Sequence, residues 1–292
     1  MEQAVFNLSE MEVFQPASLK EALKVLNDNR DAEIIANATD LWPRIMSCEV
    51  KPKKLVDISG LRSELSYVKR EKGVIRIGAL TTISELSEQS FVTEKKYRAF
   101  SDAVKLFGSP QIRNRATVGG NVCAASSSED LIPVLLAYDA KVKLASVDGE
   151  RIISLDKFVV GKRKLSRRPN EIMTEVLFEE LDDEYGSIFY KIGRRNTLII
   201  NIVNLAIVGK VHAKKIADIR IAANRVKGKI PERARKTEEF LKGRTLNEET
   251  VAEAQRVFGE ELSLSDDFRA SAEYRKQVLQ VLLKRGLNAL GV

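Results

Sequence analysis

The residues best suited to chemistry lie in two short polar stretches that follow apolar runs. Thr117-Val-Gly-Gly-Asn121 reads as a turn whose paired glycines let the backbone approach a ligand closely. Successive amide N–H groups freed by such glycines can point into one concavity and bind phosphate oxygens, with Thr117 and Asn121 adding side-chain groups. A Gly-Gly turn also serves plain structural ends, so this pattern leaves both readings open. Asn37-Ala-Thr-Asp40 is a second polar turn, placed directly after the apolar strand Glu33-Ile-Ile-Ala36. Ligands commonly bind at that position in α/β layers. The fingerprints G-x-G-x-x-G and G-x-x-x-x-G-K-[ST] are both absent, which leaves a Rossmann dehydrogenase or a P-loop NTPase unsupported.

Other chemistry is limited by what the chain lacks. It has two cysteines, Cys48 and Cys123, and one histidine, His212. Those are too few for a disulfide framework, for an iron–sulfur cluster held by this chain alone, or for a structural zinc site. Ser–His–Asp or Cys–His catalysis would have to use His212. That residue ends the apolar run Leu205-Ala-Ile-Val-Gly-Lys-Val-His212 and reads as a structural or surface histidine. The chemistry is therefore expected to come from a bound cofactor.

The bulk properties fit a protein that stays in the cytoplasm. With 292 residues, 44% hydrophobic and 30% charged, the chain can bury a core and divide into two domains. It has no apolar run long enough to cross a bilayer, and the N-terminal ten residues lack a secretory layout. The net charge is +7, yet aromatic residues are 6% and most basic residues alternate with acids. Nucleic-acid binding is not expected from that pattern. Lys162-Arg-Lys-Leu-Ser-Arg-Arg168 is the exception, either a solvated loop or a docking surface for an acidic partner or a phosphate-bearing cosubstrate.

The elements that would position the two polar stretches follow from periodicity and capping. Ser18 and Glu21 form a capping box opening a helix with Leu19, Ala22, Leu23 and Leu26 on one face, and Thr82 and Glu85 form another. Strands are expected at 54–59, 73–79, 140–145, 172–178 and 188–192, with a hairpin turn at Asp148-Gly149. Helices are expected from Tyr97 to Phe107, stopped by Gly108, and from Leu131 to Tyr138 after Asp130. Beyond about residue 180, two strands near 198–211 and 216–224 precede three helices. Pro231 opens the first and Gly243 closes it, Asn247 caps the second, and the third spans about Ala270 to Leu290. Strands followed by helices suggest a separate α+β unit.

The wording and order of several motifs resemble the FAD-binding subunits of the molybdenum hydroxylase family, which includes xanthine, nicotinate and carbon monoxide dehydrogenases. The family pattern A-G-G-T-D-L appears here as Ala36-Asn-Ala-Thr-Asp-Leu41, and I-G-A-x-T as Ile77-Gly-Ala-Leu-Thr81. The segment Gly108-Ser-Pro-Gln-Ile-Arg-Asn-Arg-Ala-Thr-Val-Gly-Gly-Asn121 is the most specific match. Asp130-Leu-Ile-Pro133, Phe189-Tyr-Lys-Ile-Gly-Arg-Arg195, Ile219-Arg-Ile-Ala222 and Arg233 to Gly243 follow in the family's order.

The resemblance implies an α+β fold, with a vanillyl-alcohol-oxidase-type (PCMH-like) FAD domain over residues 1–178, made of two α/β parts. A smaller C-terminal α+β domain would span residues 179–292. It implies FAD as cofactor, with Ile34, Ile35, Ala36, Asn37, Ala38, Thr39, Asp40 and Leu41 wrapping the pyrophosphate and ribityl chain together with Thr117, Gly119, Gly120 and Asn121. Ala124 belongs to the same site. Phe107 and Gly108 would lie against the adenine half or the neighbouring loop, Asp130 against polar parts of the cofactor, Met173 near the flavin ring and Lys191 beside the cofactor. The implied partners are a molybdenum-cofactor large subunit and a small two-cluster iron–sulfur subunit in a hetero-oligomer. Electrons would pass from the clusters through FAD to NAD⁺ or another acceptor. The Thr39-Asp40 wording is closer to the xanthine and nicotinate branches, and the cysteine-bearing loop of the thioester-reducing branch is absent.

One departure bears on the cofactor. Asn37-Ala38 stands where the family has two glycines. Asn tolerates positive φ and is expected to imitate one glycine, whereas Ala38 brings a β-carbon to the phosphate approach. A scaffold subunit that has lost FAD is therefore one alternative reading. A free-standing flavin oxidoreductase is another, disfavoured by the single histidine and by the C-terminal motifs.

Overall fold

The first three strands are parallel because each is followed by a crossover rather than a hairpin. The computed structural model describes residues 11–195, 200–224 and 231–291. Strands β1 (Glu12–Phe14), β2 (Glu33–Ile35) and β3 (Lys54–Asp57) form a sheet in the order β1-β3-β2, and the helices Leu19–Asp28 and Leu41–Met46 supply the crossovers. Ser18 accepts from the Glu21 N–H as expected, but the Glu21 carboxylate reaches Ala17 N (2.8 Å). At Thr82 and Glu85 both halves of the box close.

The next sheet is antiparallel and carries the larger core. Its strands are β4 (Val68–Glu71), β5 (Val74–Gly78), β6 (Lys141–Ser146) and β7 (Gly149–Ser154). A separate hairpin, β8 (Val159–Gly161) and β9 (Lys164–Leu165), holds the basic run. Strand β10 (Ile172–Glu179) then inserts at the centre of the sheet, giving the order β4-β5-β10-β6-β7. Its burial is nearly continuous, as a strand covered on both faces requires. The helices Arg98–Lys105, Val118–Ala124 and Leu131–Ala137 join this core, where Phe100 stacks on Phe178 (5.3 Å between centroids) and on Tyr138 (5.0 Å).

The last sheet is sandwiched. Strands β11 (Tyr185–Gly193), β12 (Asn201–His212), β13 (Lys215–Ala223) and β14 (Glu232–Arg233) pair in sequence order, all antiparallel. Side chains alternate across it with period two. Phe189, Ala206, Val208 and Ala222 join the core of the preceding helices. Ile188, Leu205, Ile207 and Ile221 pack with the helices Glu248–Glu261 and Ala272–Leu290. The face bearing Phe189 and Ala206 therefore looks toward the polar segments of the N-terminal half, and Lys191 and Asn204 lie on it.

Several sequence expectations need correction. Thr117-Val-Gly-Gly-Asn121 is no turn; Thr117 is the N-cap of the helix Val118–Ala124. Pro231 does not open a helix. Residues Glu232–Arg233 pair with Ala222–Ala223, and the helix runs from Arg235 to Leu241. The cause is Arg233, whose guanidinium grips Glu238 through Nε–Oε1 (2.5 Å) and Nη2–Oε2 (2.7 Å) and so sets the chain as an edge strand before the helix. The strand expected near 198–211 runs from Asn201, and positions 198 and 199 lie outside the described residues. His212 ends that strand with an exposed side chain. Among the described residues no helix is long and apolar enough to cross a membrane.

Candidate functional site

Where β2 ends, the chain enters a bend whose N–H groups neither helix nor strand uses, although the Ala38 carbonyl accepts from Trp42 N (3.2 Å) at the start of the next helix. No protein hydrogen bond takes the backbone N–H of Asn37, Ala38, Thr39 or Asp40 among the described residues. Four successive unpaired amides in one bend are available to cradle an anion. The positive φ falls on Ala38 (65°), not on Asn37 as expected. Asn37 acts through its side chain instead. Its Nδ2 donates to the Arg115 carbonyl (2.8 Å), tying the cradle to the segment that leads into Thr117. An alanine held left-handed costs about 1–2 kcal/mol, and the family's glycine would avoid that cost.

The glycine pair across the cleft behaves in the opposite way. Gly119 N donates to Ala79 O (2.8 Å), Gly120 N to Thr117 Oγ1 (2.9 Å) and Asn121 N to Thr117 O (2.9 Å). The expected nest is therefore already consumed by the fold. Gly119 is needed for close packing, since a β-carbon there would lie 2.7 Å from both Cβ and O of Ala79. The helix start thus supplies a smooth wall and brings two backbone elements together.

Between cradle and helix lies an open cleft of about 980 Å³, including its mouth. It gathers Ile34, Ile35, Ala36, Asn37, Ala38, Thr39, Asp40, Leu41, Thr117, Gly119, Gly120, Ala124 and Met173, most of the residues expected from sequence. Met173 sits at a bulge in β10, and its Sδ lies 3.6 Å from Cys123 Sγ. Burial pushes the Cys123 thiol up to about 11, so it stays protonated near neutral pH. Arg44, Arg115 and Arg167 also line the cleft. Sequence reasoning did not name Arg44 or Arg115 as site residues and read Arg167 only as part of the basic run 162–168.

Asp40 would place a carboxylate beside any bound phosphate, and Arg163 answers it. Arg163 Nη1 and Nη2 clamp Asp40 at 2.8 and 3.0 Å, Nη1 also donates to Ala124 O (2.7 Å), and its backbone N–H donates to Ala125 O (2.8 Å). The β8–β9 hairpin is thus a strap across the end of the Val118–Ala124 helix. Part of the basic run faces the cleft: Arg163 binds Asp40, and Arg167 lines the wall while donating to Glu171 O (2.7 Å).

The remaining expected residues, Phe107, Gly108, Asn121, Asp130 and Lys191, do not line the cleft. They form a second cluster against the C-terminal sheet. Lys191 Nζ is buried between Asp130 Oδ2 (2.6 Å) and Leu106 O (2.9 Å), next to Phe107 and Gly108. Asn121 links the two clusters: its Oδ1 accepts from Leu131 N (3.3 Å) and its Nδ2 bonds to Glu129. Burial drives the Glu129 carboxyl well above the usual carboxylate range, reinforced by the negative charges of Asp40 and Asp130. Glu129, Asn201 and Asn204 were also missed. Two asparagines in the apolar run of β12 were the available signal, because buried polar side chains need partners.

These residues fit FAD. A pyrophosphate suits the unpaired amides of 37–40 and the nearby guanidinium groups, and the apolar walls suit a ring system and ribityl chain. A bound FAD supplies redox chemistry that accepts electrons singly and releases them as a pair.

Comparison with known proteins agrees. Residues 9–178 match the family described as FAD binding domain in molybdopterin dehydrogenase, and residues 188–290 match the CO dehydrogenase flavoprotein C-terminal domain. The chain is similar to the nicotinate dehydrogenase FAD-subunit of Eubacterium barkeri, 32% identical over 283 residues covering 95% of each chain. It is 31% identical to the glyceraldehyde dehydrogenase medium chain of Sulfolobus acidocaldarius, covering 91% of this chain and 92% of that one. Its fold superposes on carbon monoxide dehydrogenase from Hydrogenophaga pseudoflava, in a form lacking the Mo-pyranopterin moiety, with a TM-score of 0.91. The identity there is 26%, over 96% of this chain and 97% of the other. The chain therefore belongs to the FAD-binding subunits of the molybdopterin dehydrogenase family, as an oxidoreductase subunit that takes FAD as its cofactor.

Proposed function

We propose that this chain is the electron-transfer subunit of a cytoplasmic molybdenum hydroxylase complex, with residues 1–178 as FAD domain and 179–292 as C-terminal domain. Its partners are a molybdenum-cofactor large subunit and a small two-cluster iron–sulfur subunit, and electrons leave FAD for NAD⁺ or another acceptor. The names of relatives as medium chains of dehydrogenases support the partners. The observation that carries the reading is the cradle of unpaired amides at 37–40 facing the guanidinium-lined cleft.

In this reading the chain binds and orients rather than transforms substrate. The 37–40 amides with Arg115 would hold the FAD pyrophosphate, Arg163 pairs with Asp40, and Met173 with Ile34 and Ala124 walls the cleft. Asp130 and Lys191 pair beside Phe107 and Gly108 and would add a charge pair to the cofactor site. No acid–base residue of this chain serves the hydroxylation itself.

Purification of the tagged chain from its native host tests this. The expected result is a complex containing molybdenum, a small subunit with two iron–sulfur clusters, and one FAD per copy of this chain, with flavin bleached by NADH where NAD⁺ is the acceptor. A chain that takes up no flavin even with excess FAD would support the scaffold reading. A flavin reduced by a small molecule without partners would support a free-standing oxidoreductase.

A further inference from the structure

Two asparagines of β12 face inward among apolar neighbours. Asn201 and Asn204 are wholly buried. Asn201 Nδ2 donates to Ser128 O (3.1 Å) and to Asp130 Oδ1 (3.4 Å), and Asn204 Nδ2 donates to Glu129 O and to the same Asp130 oxygen (3.4 Å each). Among the described residues no donor reaches the Oδ1 atom of either. A buried acceptor left unmet is unfavourable, so something must fix the amides in this orientation. A flip would set oxygen against oxygen at Asp130, which supplies the reason.

The other oxygen of Asp130 takes Lys191, and Lys191 stands directly opposite Asn204 in the β11–β12 register. Burial pushes the Asp130 carboxyl upward, while Lys191 and the two carboxamides oppose that push. We propose that Asn201 and Asn204 are positioning residues of the FAD site: they hold the Asp130 carboxyl turned toward Lys191, so that the Lys191 side chain stays fixed there. The inference rests on reading Asp130 and Lys191 as part of the FAD site.

The test uses Asn204→Leu, and Asn204→Ser as a smaller change, in the full chain and again in an Asp130→Asn background. FAD affinity is read from quenching of Trp42, the single tryptophan, and the midpoint potential of bound flavin from its visible spectrum. Each variant is expected to weaken FAD about tenfold and to lower the potential, because the Lys191 ammonium is displaced; in the Asp130→Asn background neither adds a further loss. Equal losses in both backgrounds, or an unchanged potential with only thermal stability reduced, would overturn the proposal and leave the asparagines purely structural. If Asn204→Leu does not fold, Asn204→Ser decides. A wild-type chain that takes up no FAD would instead overturn the functional reading on which the proposal stands.

Discussion

The two walls of the cleft are built on opposite principles. The Thr117–Asn121 wall kept its glycines, yet the N–H groups of Val118 to Asn121 are spent on Thr81, Ala79 and Thr117. The Asn37–Asp40 wall lacks glycine, yet its N–H groups are unpaired among the described residues. Glycine in a motif therefore marks where backbone must come close, and the close approach at Gly119 is to Ala79 of the same chain. The donors left available to a phosphate lie in the bend, whose N–H groups no helix or strand uses. The contrast also explains how an alanine is tolerated at position 38: its β-carbon costs backbone strain rather than donors.

The contrast can be broken most forcefully at Gly119. Gly119→Ala sets a methyl 2.7 Å from the Ala79 backbone oxygen, and we expect about 2–3 kcal/mol of lost stability by denaturant titration. FAD binding would fall mainly because the fold loosens. Arg163→Met comes next. It leaves Asp40 uncompensated beside the cradle, and the expectation is roughly tenfold weaker FAD with only about 1 kcal/mol of stability lost, since both side chains are partly exposed. A stability loss without a change in affinity would show that the strap serves the fold alone.

A subtler test uses pH. The Glu129 carboxyl is raised in the folded chain, so its contribution to stability is fully present below the unfolded carboxylate value and is lost as pH rises through the folded one. Glu129→Gln keeps an acceptor for Asn121 and removes that loss. The variant is expected to match wild type near pH 4 and to exceed it by on the order of 1 kcal/mol at pH 8. A gap that shrinks with rising pH would contradict the assigned direction. The smallest effect is expected at Ala38→Gly. Relief of left-handed strain is offset by the entropy of a glycine in the unfolded chain, leaving stability within about 0.5 kcal/mol. FAD affinity should rise by a few-fold, and a loss of affinity would mean the alanine methyl contacts the cofactor productively.

Much of this was legible in the sequence where the signal is local. Caps at Ser18, Thr82 and Asn247, the hairpin at Asp148-Gly149 and the strand periodicities lie where short-range rules put them. The cleft residues were legible through motif wording. What escaped depends on distant partners. Arg163 reads as one charge of a solvated run until the fold brings Asp40 to it, and Arg233 reads as ordinary until Glu238 turns an expected helix start into an edge strand. The helix at Val118–Ala124 was hidden because two glycines discourage helix and only the packing against Ala79 rewards it. Asn201 and Asn204 look misplaced in β12 until the Asp130 segment is laid against them.

The most direct test is residue-resolved amide hydrogen exchange with and without FAD. Unpaired N–H groups at Asn37, Ala38, Thr39 and Asp40 should exchange rapidly in the free chain and slow at least tenfold once FAD is bound, whereas Gly119 and Gly120 should be protected beforehand and change little. Stoichiometric FAD binding that leaves exchange at 37–40 unaltered would contradict the cradle as the pyrophosphate site.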